Sequence, residues 1–575
     1  MIESSRTTDR ATLHRISALI VLALSAAALI VRLGGAAPAR ALDHLPALAG
    51  RVIDPQDQPV EDAQALLYLN GASQPASETE TGPEGDFVLD LPLESLERIR
   101  VEIHHPHFEP AEWTADREEL AQLNDGSAIR IPDIVLARRL TAGFWIAAAT
   151  FAGMLLLIAT ERLHSTMAAL LGVAIVLGVS LVGQAFSDQL FIFDFEQAIE
   201  YVDFNVVFLV MGMMIVIGII EETGIFQWAA YQAFRLSGGR LWLLVVILMV
   251  LTSFSSALLD NVTTMLLVAP ITLQIALTAG VDPLSLLIPE VLASNVGGIS
   301  TLIGTPTNIL IGSYAGITFN DFLLHLTPGV LLAQAALTLY ALLLYRSEYR
   351  AAGDSASPAL LSRLEENARI TRPDKLRRAG TVFGIMLVMF VLGERIHLVP
   401  AVTAILGAVA MLLVVRADVE QMLKVVDWTT LMFFISLFIV VGAIQEVGLI
   451  SIVASTLRDV VGDSPVVALL VVVWASAFCS MIVANIPFTA AMLPIVGLLS
   501  RSVPGTANKM LFYSLSVGSA LGGNGSLIGA SANMVTMCIA ERAGYPITYG
   551  RFMKVGLPAM VITVTVGSIW LLIHF

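Results

Sequence analysis

The chain has 575 residues, 56% of them hydrophobic and 14% charged, with a mean hydropathy of +0.79 and a formal net charge of −15. That composition excludes a soluble enzyme and describes an integral membrane protein. Residues 40–140 hold 20 acids and 8 bases and so carry 12 of the 15 net negative charges, which marks them as a soluble segment. Neither part has the basic surplus of a nucleic-acid binder, and there is no Walker A loop, HExxH or dinucleotide fingerprint. No enzyme activity, resident cofactor or nucleic-acid partner is therefore expected. Cys479 and Cys538, the only cysteines, lie in apolar runs and define no disulfide framework.

The first apolar run, 16–33, follows Arg6, Arg10 and Arg15, which places its start in the cytoplasm. Residues 1–37 read as a transmembrane helix or signal anchor, and Ala39-Arg40-Ala41 offers a signal-peptidase site as the other reading. Both readings put residues 38–140 outside the cytoplasm. That segment shows short alternating strands near 50–54, 65–69, 85–89 and 99–103 with turn residues between them, the pattern of a small extracytoplasmic β-sandwich. His104, His105 and His107 have the chemistry of metal ligands, but adjacent strand residues point to opposite faces and a site needs three or four converging groups.

From Thr141 onward, apolar segments of spanning length recur near 142–160, 166–184, 204–222, 286–313, 326–345, 380–394, 398–415, 428–447, 511–540 and 555–573. Two more, near 240–278 and 466–500, are polar at their centres and read as re-entrant hairpins, since irregular backbone at membrane depth is tolerated where it lines a cavity. The fold expected is all-α and polytopic, with about eleven transmembrane helices in all. Residues 346–379 are rich in arginine and form a cytoplasmic linker, while 185–203 has no Lys or Arg and falls outside.

Comparing the membrane region with itself reveals a repeat. Asp203, Gly218, Glu222, Gly224, Asn261 and Pro270 match Asp427, Gly442, Glu446, Gly448, Asn485 and Pro494 at an offset of 224. After one inserted residue, Gly297, Gly298, Gly304 and Asn308 match Gly522, Gly523, Gly529 and Asn533 at 225. A first repeat over 141–345 and a second over 380–575, each with an odd number of spans, must insert with opposite orientation. That is the inverted design of secondary transporters, with the substrate site at the midplane between copies.

The polar centres fall there. The first hairpin offers Ser256, Asp260, Asn261, Thr263 and Thr264, and the second Asn485 and Thr489. The Gly-rich interruptions offer Asn295, Gly297, Gly298, Ser300, Thr301, Gly304, Thr305 and Asn308, and then Gly522, Gly523, Asn524, Gly525, Ser526, Gly529, Ser531 and Asn533. Glycine lets backbone approach an ion closely, and broken helices aim carbonyls and N–H groups into a cavity. The plain alternative is that small residues let helices pack tightly in lipid. A carboxylate at membrane depth is costly and by default functional, so Asp260 is the first proton or Na⁺ site to consider and Glu290 a second proton site. Glu222 and Glu446 read as helix-end or scaffold residues.

These motifs are familiar. Ser256-Ala-Leu-Leu-Asp260-Asn261-Val-Thr-Thr264, Asn295-Val-Gly-Gly298 with Gly304-Thr-Pro-Thr-Asn308, Ala484-Asn485-Ile-Pro487-Phe-Thr489 and Gly522-Gly-Asn-Gly-Ser-Leu-Ile-Gly-Ala-Ser-Ala-Asn533 resemble the ion-transporter superfamily over residues 140–575. The branch most similar is that of the P protein, grouped with NhaD-type sodium/proton antiporters and arsenite permeases. In residues 46–136, Gly50-x-Val52-x-Asp54 and Gly82-Pro83-Glu84-Gly85-x-Phe87 resemble the carboxypeptidase-regulatory-like domain. The superfamily resemblance implies a homodimer in the cell membrane, with a scaffold, a moving transport part and Na⁺ or H⁺ coupling at the hairpin tips. Asn261 and Asn485 at those tips, with the carboxylate of Asp260 beside them, are the expected Na⁺ ligands. The dicarboxylate branch carries Ser-Asn-Thr at each tip, whereas the tips here read Asp260-Asn261-Val262 and Ala484-Asn485-Ile486, so only the asparagines carry over. No Lys or Arg lies in the four motifs to neutralise an anion. Na⁺/H⁺ antiport is the function expected, with an arsenite or anion permease, a channel on the same repeats, or a membrane-anchored receptor as the alternatives.

Overall fold

The computed structural model describes residues 47–575 apart from 56, 92–95, 126, 127, 239 and 352–369. The apolar run 16–33, the small-x-small site at 39–41 and residues 352–369 of the basic linker lie outside the described residues. The described residues form two compact units, one of 47–105 with 110–137 and the other of 106–109 with 138–575.

The smaller unit contains β1 (Ala47–Ile53), β2 (Gln64–Leu69), β3 (Ser77–Glu80), β4 (Asp86–Asp90), β5 (Ile99–His104), β6 (Ala111–Thr114), β7 (Ile129–Arg130) and β8 (Ile134–Val135). One sheet runs β4-β1-β7 with β8 also on β1, and the other β3-β2-β5-β6. Alternation decides what is buried: Leu48 and Val52 of β1, Phe87 and Leu89 of β4, and Val101 and Ile103 of β5 are inward, while Arg51, Val88 and Glu102 between them are more exposed. A helix that the strand pattern does not predict, α1 (Arg117–Asn124), follows β6. Its signal is the capping box of Asp116 and Glu119, each side chain accepting from the other's backbone N–H.

The larger unit is helical. Its first half comprises α2 (Ala142–Ala159), α3 (Ser165–Leu177), α4 (Phe195–Glu200), α5 (Phe204–Glu221), α6 (Ile225–Leu236), α7 (Leu241–Leu258), α8 (Asn261–Ala279), α9 (Leu284–Gly298), α10 (Pro306–Ala315), α11 (Phe319–His325), α12 (Thr327–Leu344) and α13 (Arg346–Ala351). The second half comprises α14 (Pro373–Gly393), α15 (Pro400–Val415), α16 (Val419–Val425), α17 (Trp428–Glu446), α18 (Leu449–Val461), α19 (Pro465–Ile482), α20 (Asn485–Ser502), α21 (Met510–Gly522), α22 (Ser531–Arg542) and α23 (Tyr549–His574). Among the described residues, ten helices are long and apolar enough to cross a membrane. The stretches near 286–313 and 511–540 are each two helices with a break between them, α9 with α10 and α21 with α22. The arms α7 and α8 are 18 and 19 residues long, separated by Leu259 and Asp260 alone, so each arm has spanning length by itself.

The repeat is visible in the packing. Helices α5 to α10 match α17 to α22 in order, and α12 matches α23. The matched helices α12 and α23 run antiparallel where they meet: Gly329 of α12 lies against Trp570 of α23, while Tyr340 further along α12 donates to the carbonyl of Val555, which precedes Trp570. Glu222 and Glu446 close α5 and α17. Lys375 Nζ lies 3.2 Å from Glu222, and the Tyr201 hydroxyl donates to Glu446 at 2.6 Å, so both are helix-end contacts.

His107 is buried, and its Nε2–H donates to the carbonyl of Ile192 at 2.7 Å. Burial, reinforced by the Arg138 guanidinium and opposed by this hydrogen bond, pushes the imidazole down to about 4 from its ordinary 6.5. The unfolded chain then holds a proton that the fold excludes. Stability from this group is complete above about pH 6.5 and is lost as pH falls toward 4, by about 3 kcal/mol at most. His107→Gln, which keeps a donor for Ile192, is expected to flatten the acid limb of the melting-temperature profile of the purified protein.

Candidate functional site

The site is built where helices stop. α7 ends at Leu258 and α8 starts at Asn261, with Asp260 as its N-cap. The Asp260 carboxylate accepts from the Thr263 backbone N–H at 2.8 Å and from the Thr263 hydroxyl at 2.5 Å. A carboxylate satisfies an orphan N–H and the positive end of the helix dipole at once. At the matching tip Ala484 occupies the cap and has no such group. Asp260 is half-buried, and Asn261 beside it is buried.

The helices α9 and α21 are buried at every residue. Their glycines set how closely the tips approach. A Cβ on Gly297 would run into the carbonyl of Ser253, and one on Gly522 into the carbonyl of Ala477, the same contact in both copies. The exposed backbone of each break is tied down by the same device. Thr301 Oγ1 donates to the carbonyl of Ala257, and Ser526 Oγ to that of Met481. Asn308 Nδ2 donates to the carbonyls of Ile299 at 3.0 Å and Thr301 at 2.8 Å. Asn533 Nδ2 donates to those of Gly523 and Ser526, both at 2.8 Å. Side-chain amides thus replace the helix bonds lost at the break.

A chain of carboxamides then joins the copies. Asn261 Nδ2 donates to Asn295 Oδ1 at 2.9 Å, and Asn295 Nδ2 donates to Asn524 Oδ1 at 2.9 Å and Asn533 Oδ1 at 3.0 Å. Asn524 Nδ2 points to the carbonyl of Leu292 at 3.4 Å, and Ser516 donates to Asn308 Oδ1 at 2.6 Å. Ser294 donates to Ser256 at 3.2 Å. All of these side chains are buried, and among the described residues no charged group belongs to the cluster.

The other expected residues stand around it. Thr305 and Thr307 hydroxyls lie 3.2 Å apart, Thr489 donates to the carbonyl of Asn485 within α20, and the Ser300 carbonyl accepts from Thr327. The glycines Gly298 and Gly304 meet each other, as do Gly523 and Gly529, while Gly525 packs on Met481. Thr264 is buried, and its hydroxyl has no partner among the described residues. Ser531 is exposed. Glu290 is fully buried in α9, and its Oε1 accepts from Thr252 of α7 at 2.9 Å and Thr272 of α8 at 3.1 Å. Thr252, Thr272 and Ser516 were not foreseen. Thr252 stands one helical turn before Ser256, a spacing that puts both on one face, but the sequence carries no sign of which face meets α9.

A cavity of about 370 Å³ opens beside the first break, lined by Asn205, Leu302, Ile309, Phe390 and Thr403 among others. Paired helix breaks joined by buried amides within a bundle of apolar helices are the architecture of a polytopic membrane transporter. The citrate transporter family matches residues 155–515. An uncharacterised transporter of Mycobacterium bovis is 35% identical over 431 residues, covering 75% of this chain and 98% of its own length. The human P protein is 34% identical over 505 residues, covering 74% of this chain and 59% of its own. The crystal structure of the Alcanivorax borkumensis YdaH transporter shares the fold with a TM-score of 0.50 at 15% identity, covering 75% of this chain and 97% of that one. The chain belongs to the citrate transporter family of the ion-transporter superfamily and is a secondary transporter of that type.

The glycine contacts generate a direct test. Gly297→Ala and Gly522→Ala are each expected to destabilise the purified protein by about 1–3 kcal/mol, because backbone and not a flexible side chain blocks the new methyl. Gly153→Ala in α2, where nothing lies within 4 Å, is the control and leaves the thermal midpoint unchanged or higher.

Proposed function

We propose that the protein exchanges Na⁺ for protons across the cell membrane by alternating access. One observation carries the reading: the polar centre is made of carboxamides, hydroxyls and backbone carbonyls from both copies, with no Lys or Arg among them. Hard cations take oxygen ligands of this kind. In this reading α7 with α8, and α19 with α20, are re-entrant hairpins whose tips meet the breaks at mid-membrane. Asp260, Asn261 and Asn485 hold Na⁺ there. Asp260 gives two of its lone pairs to Thr263 and keeps others for a cation. The cavity beside Leu302 and Ile309 is an access route. Residues 1–37 anchor the chain, 38–140 form an extracytoplasmic domain of carboxypeptidase-regulatory-like type, and 346–379 lie in the cytoplasm between repeats 141–345 and 380–575. Two copies form a homodimer.

A second reading is uptake of an anion together with a cation. Asn261, Asn308 and Asn533 each lie in the first turn of a helix, and those positive helix ends favour a carboxylate or oxyanion. Proteoliposomes with separately imposed Na⁺ and H⁺ gradients discriminate the two. Na⁺ efflux driven by a pH gradient with no added solute supports exchange. Na⁺ movement that appears only with citrate or arsenite supports the second reading and removes the first.

Within the exchange reading, Asn261→Ala and Asn485→Ala each remove one ligand and are expected to weaken apparent Na⁺ affinity about tenfold, the equivalent of about 1.4 kcal/mol. In the wild type, protons compete with Na⁺ for Asp260, so apparent Na⁺ affinity falls as pH drops. Asp260→Asn keeps the shape but cannot ionise, and its Na⁺ affinity is expected to be low and flat with pH. A wild-type affinity independent of pH removes Asp260 from the site.

A further inference from the structure

Glu290 is a buried acid that the asparagine cluster does not use. It is 0% exposed, in a helix whose every residue is buried. Its Oε1 takes both available hydroxyls, from Thr252 and Thr272, and its Oε2 has no hydrogen-bond partner among the described residues. Helices α7 and α8, which supply the two threonines, contain no titratable residue. On the other helices packed against α9, Tyr340 of α12 donates to the Val555 carbonyl, Tyr513 of α21 lies against Phe322 and Phe575, and Arg551 of α23 is on Asp282, while Cys538, Glu541 and Arg542 of α22 and Tyr549, Lys554 and His574 of α23 are exposed. Among the described residues no charged group faces the carboxyl.

An isolated carboxylate in such a place is costly unless something neutralises it. A metal ion would need several converging oxygens, and only two hydroxyls reach this carboxyl among the described residues. A proton needs none. We propose that Glu290, held between Thr252 and Thr272, is a proton-binding site separate from the Na⁺ ligands. This rests on the transporter reading and not on Na⁺ exchange.

The repeat supplies a second argument. The positions matching Glu290, Thr252 and Thr272 are Leu515, Ser476 and Val496. The packing of the two copies is the same, but the acid and one hydroxyl are absent from the second, so each chain has one such site. Its threonines come from both arms of the hairpin while the acid sits on the broken helix. Gain or loss of the proton therefore acts on the contact between hairpin and break. Pro289, next to the acid, deprives the Ser285 carbonyl of its helix donor, and the Tyr349 hydroxyl takes that carbonyl at 2.7 Å. The helix is thus irregular beside the site yet satisfied.

The test is infrared difference spectroscopy on the purified, membrane-reconstituted protein as pH is changed, reading the carbonyl stretch of a buried protonated carboxyl. The wild type is expected to show a titrating band that Glu290→Gln abolishes. Should that variant fail to fold, Glu290→Asp serves, with the band displaced in frequency because the shorter side chain cannot meet both threonines. Absence of a titrating band in the wild type, or a band unchanged in either variant, overturns the proposal. A failure of Na⁺/H⁺ exchange in vesicles with the Glu290 band intact would strike the exchange reading and leave this site standing.

Discussion

Asn295 is the side chain on which the two halves of the molecule meet. Its carbonyl oxygen accepts a hydrogen bond from the Asn261 amide at a hairpin tip, and its own amide donates to Asn524 and Asn533 in the opposite copy. In an apolar surrounding every polar atom left unpaired is costly, so a four-amide chain either closes on itself or opens for a ligand of matching polarity. The rest of the transport region is arranged to bring those amides together. Helix ends, glycine contacts and break-capping asparagines all serve that meeting.

The two copies share what holds backbone in place and differ in what could hold a ligand. Gly297 on Ser253 repeats as Gly522 on Ala477, Thr301 on Ala257 repeats as Ser526 on Met481, and Asn308 repeats as Asn533. These contacts satisfy carbonyls released by the breaks, a need the copies have in common. Asp260, Glu290 and Asn295 face Ala484, Leu515 and Ala520 at the matching positions. Packing is symmetric because the same backbone must close twice. Chemistry is asymmetric because one cluster between the copies is enough.

The relatives share the fold and the family. The fold is held in common with the YdaH transporter at 15% identity, a level at which packing survives and side-chain chemistry need not. The mycobacterial transporter, at 35% identity over nearly its whole length, shares the family. The sheets of residues 47–135 stand outside the matched span of 155–515 and form a compact unit of their own.

Much of the fold was legible in the sequence because apolar length and repeated polar motifs are local signals. The spans near 142–160, 204–222 and 428–447, the breaks at Gly297–Gly298 and Gly522–Gly523, and strands β1, β2, β4 and β5 could all be read from residues that are neighbours in the chain. So could the pairing of Asn308 with Asn533, since a constant offset survives in the letters. Helix α1 was missed because the segment was read for strand alternation, although its helix-forming residues 117–123 follow a capping box. Whether hairpin arms such as α7 and α8 are short or of spanning length was decided by where Leu259 and Asp260 turn the chain. Tertiary structure alone decided that Asn295 reaches the other copy and that Glu290 meets Thr252 and Thr272. Those contacts join residues up to 238 positions apart, and which buried polar groups satisfy one another depends on how helices rotate against their neighbours, a quantity that no local spacing encodes.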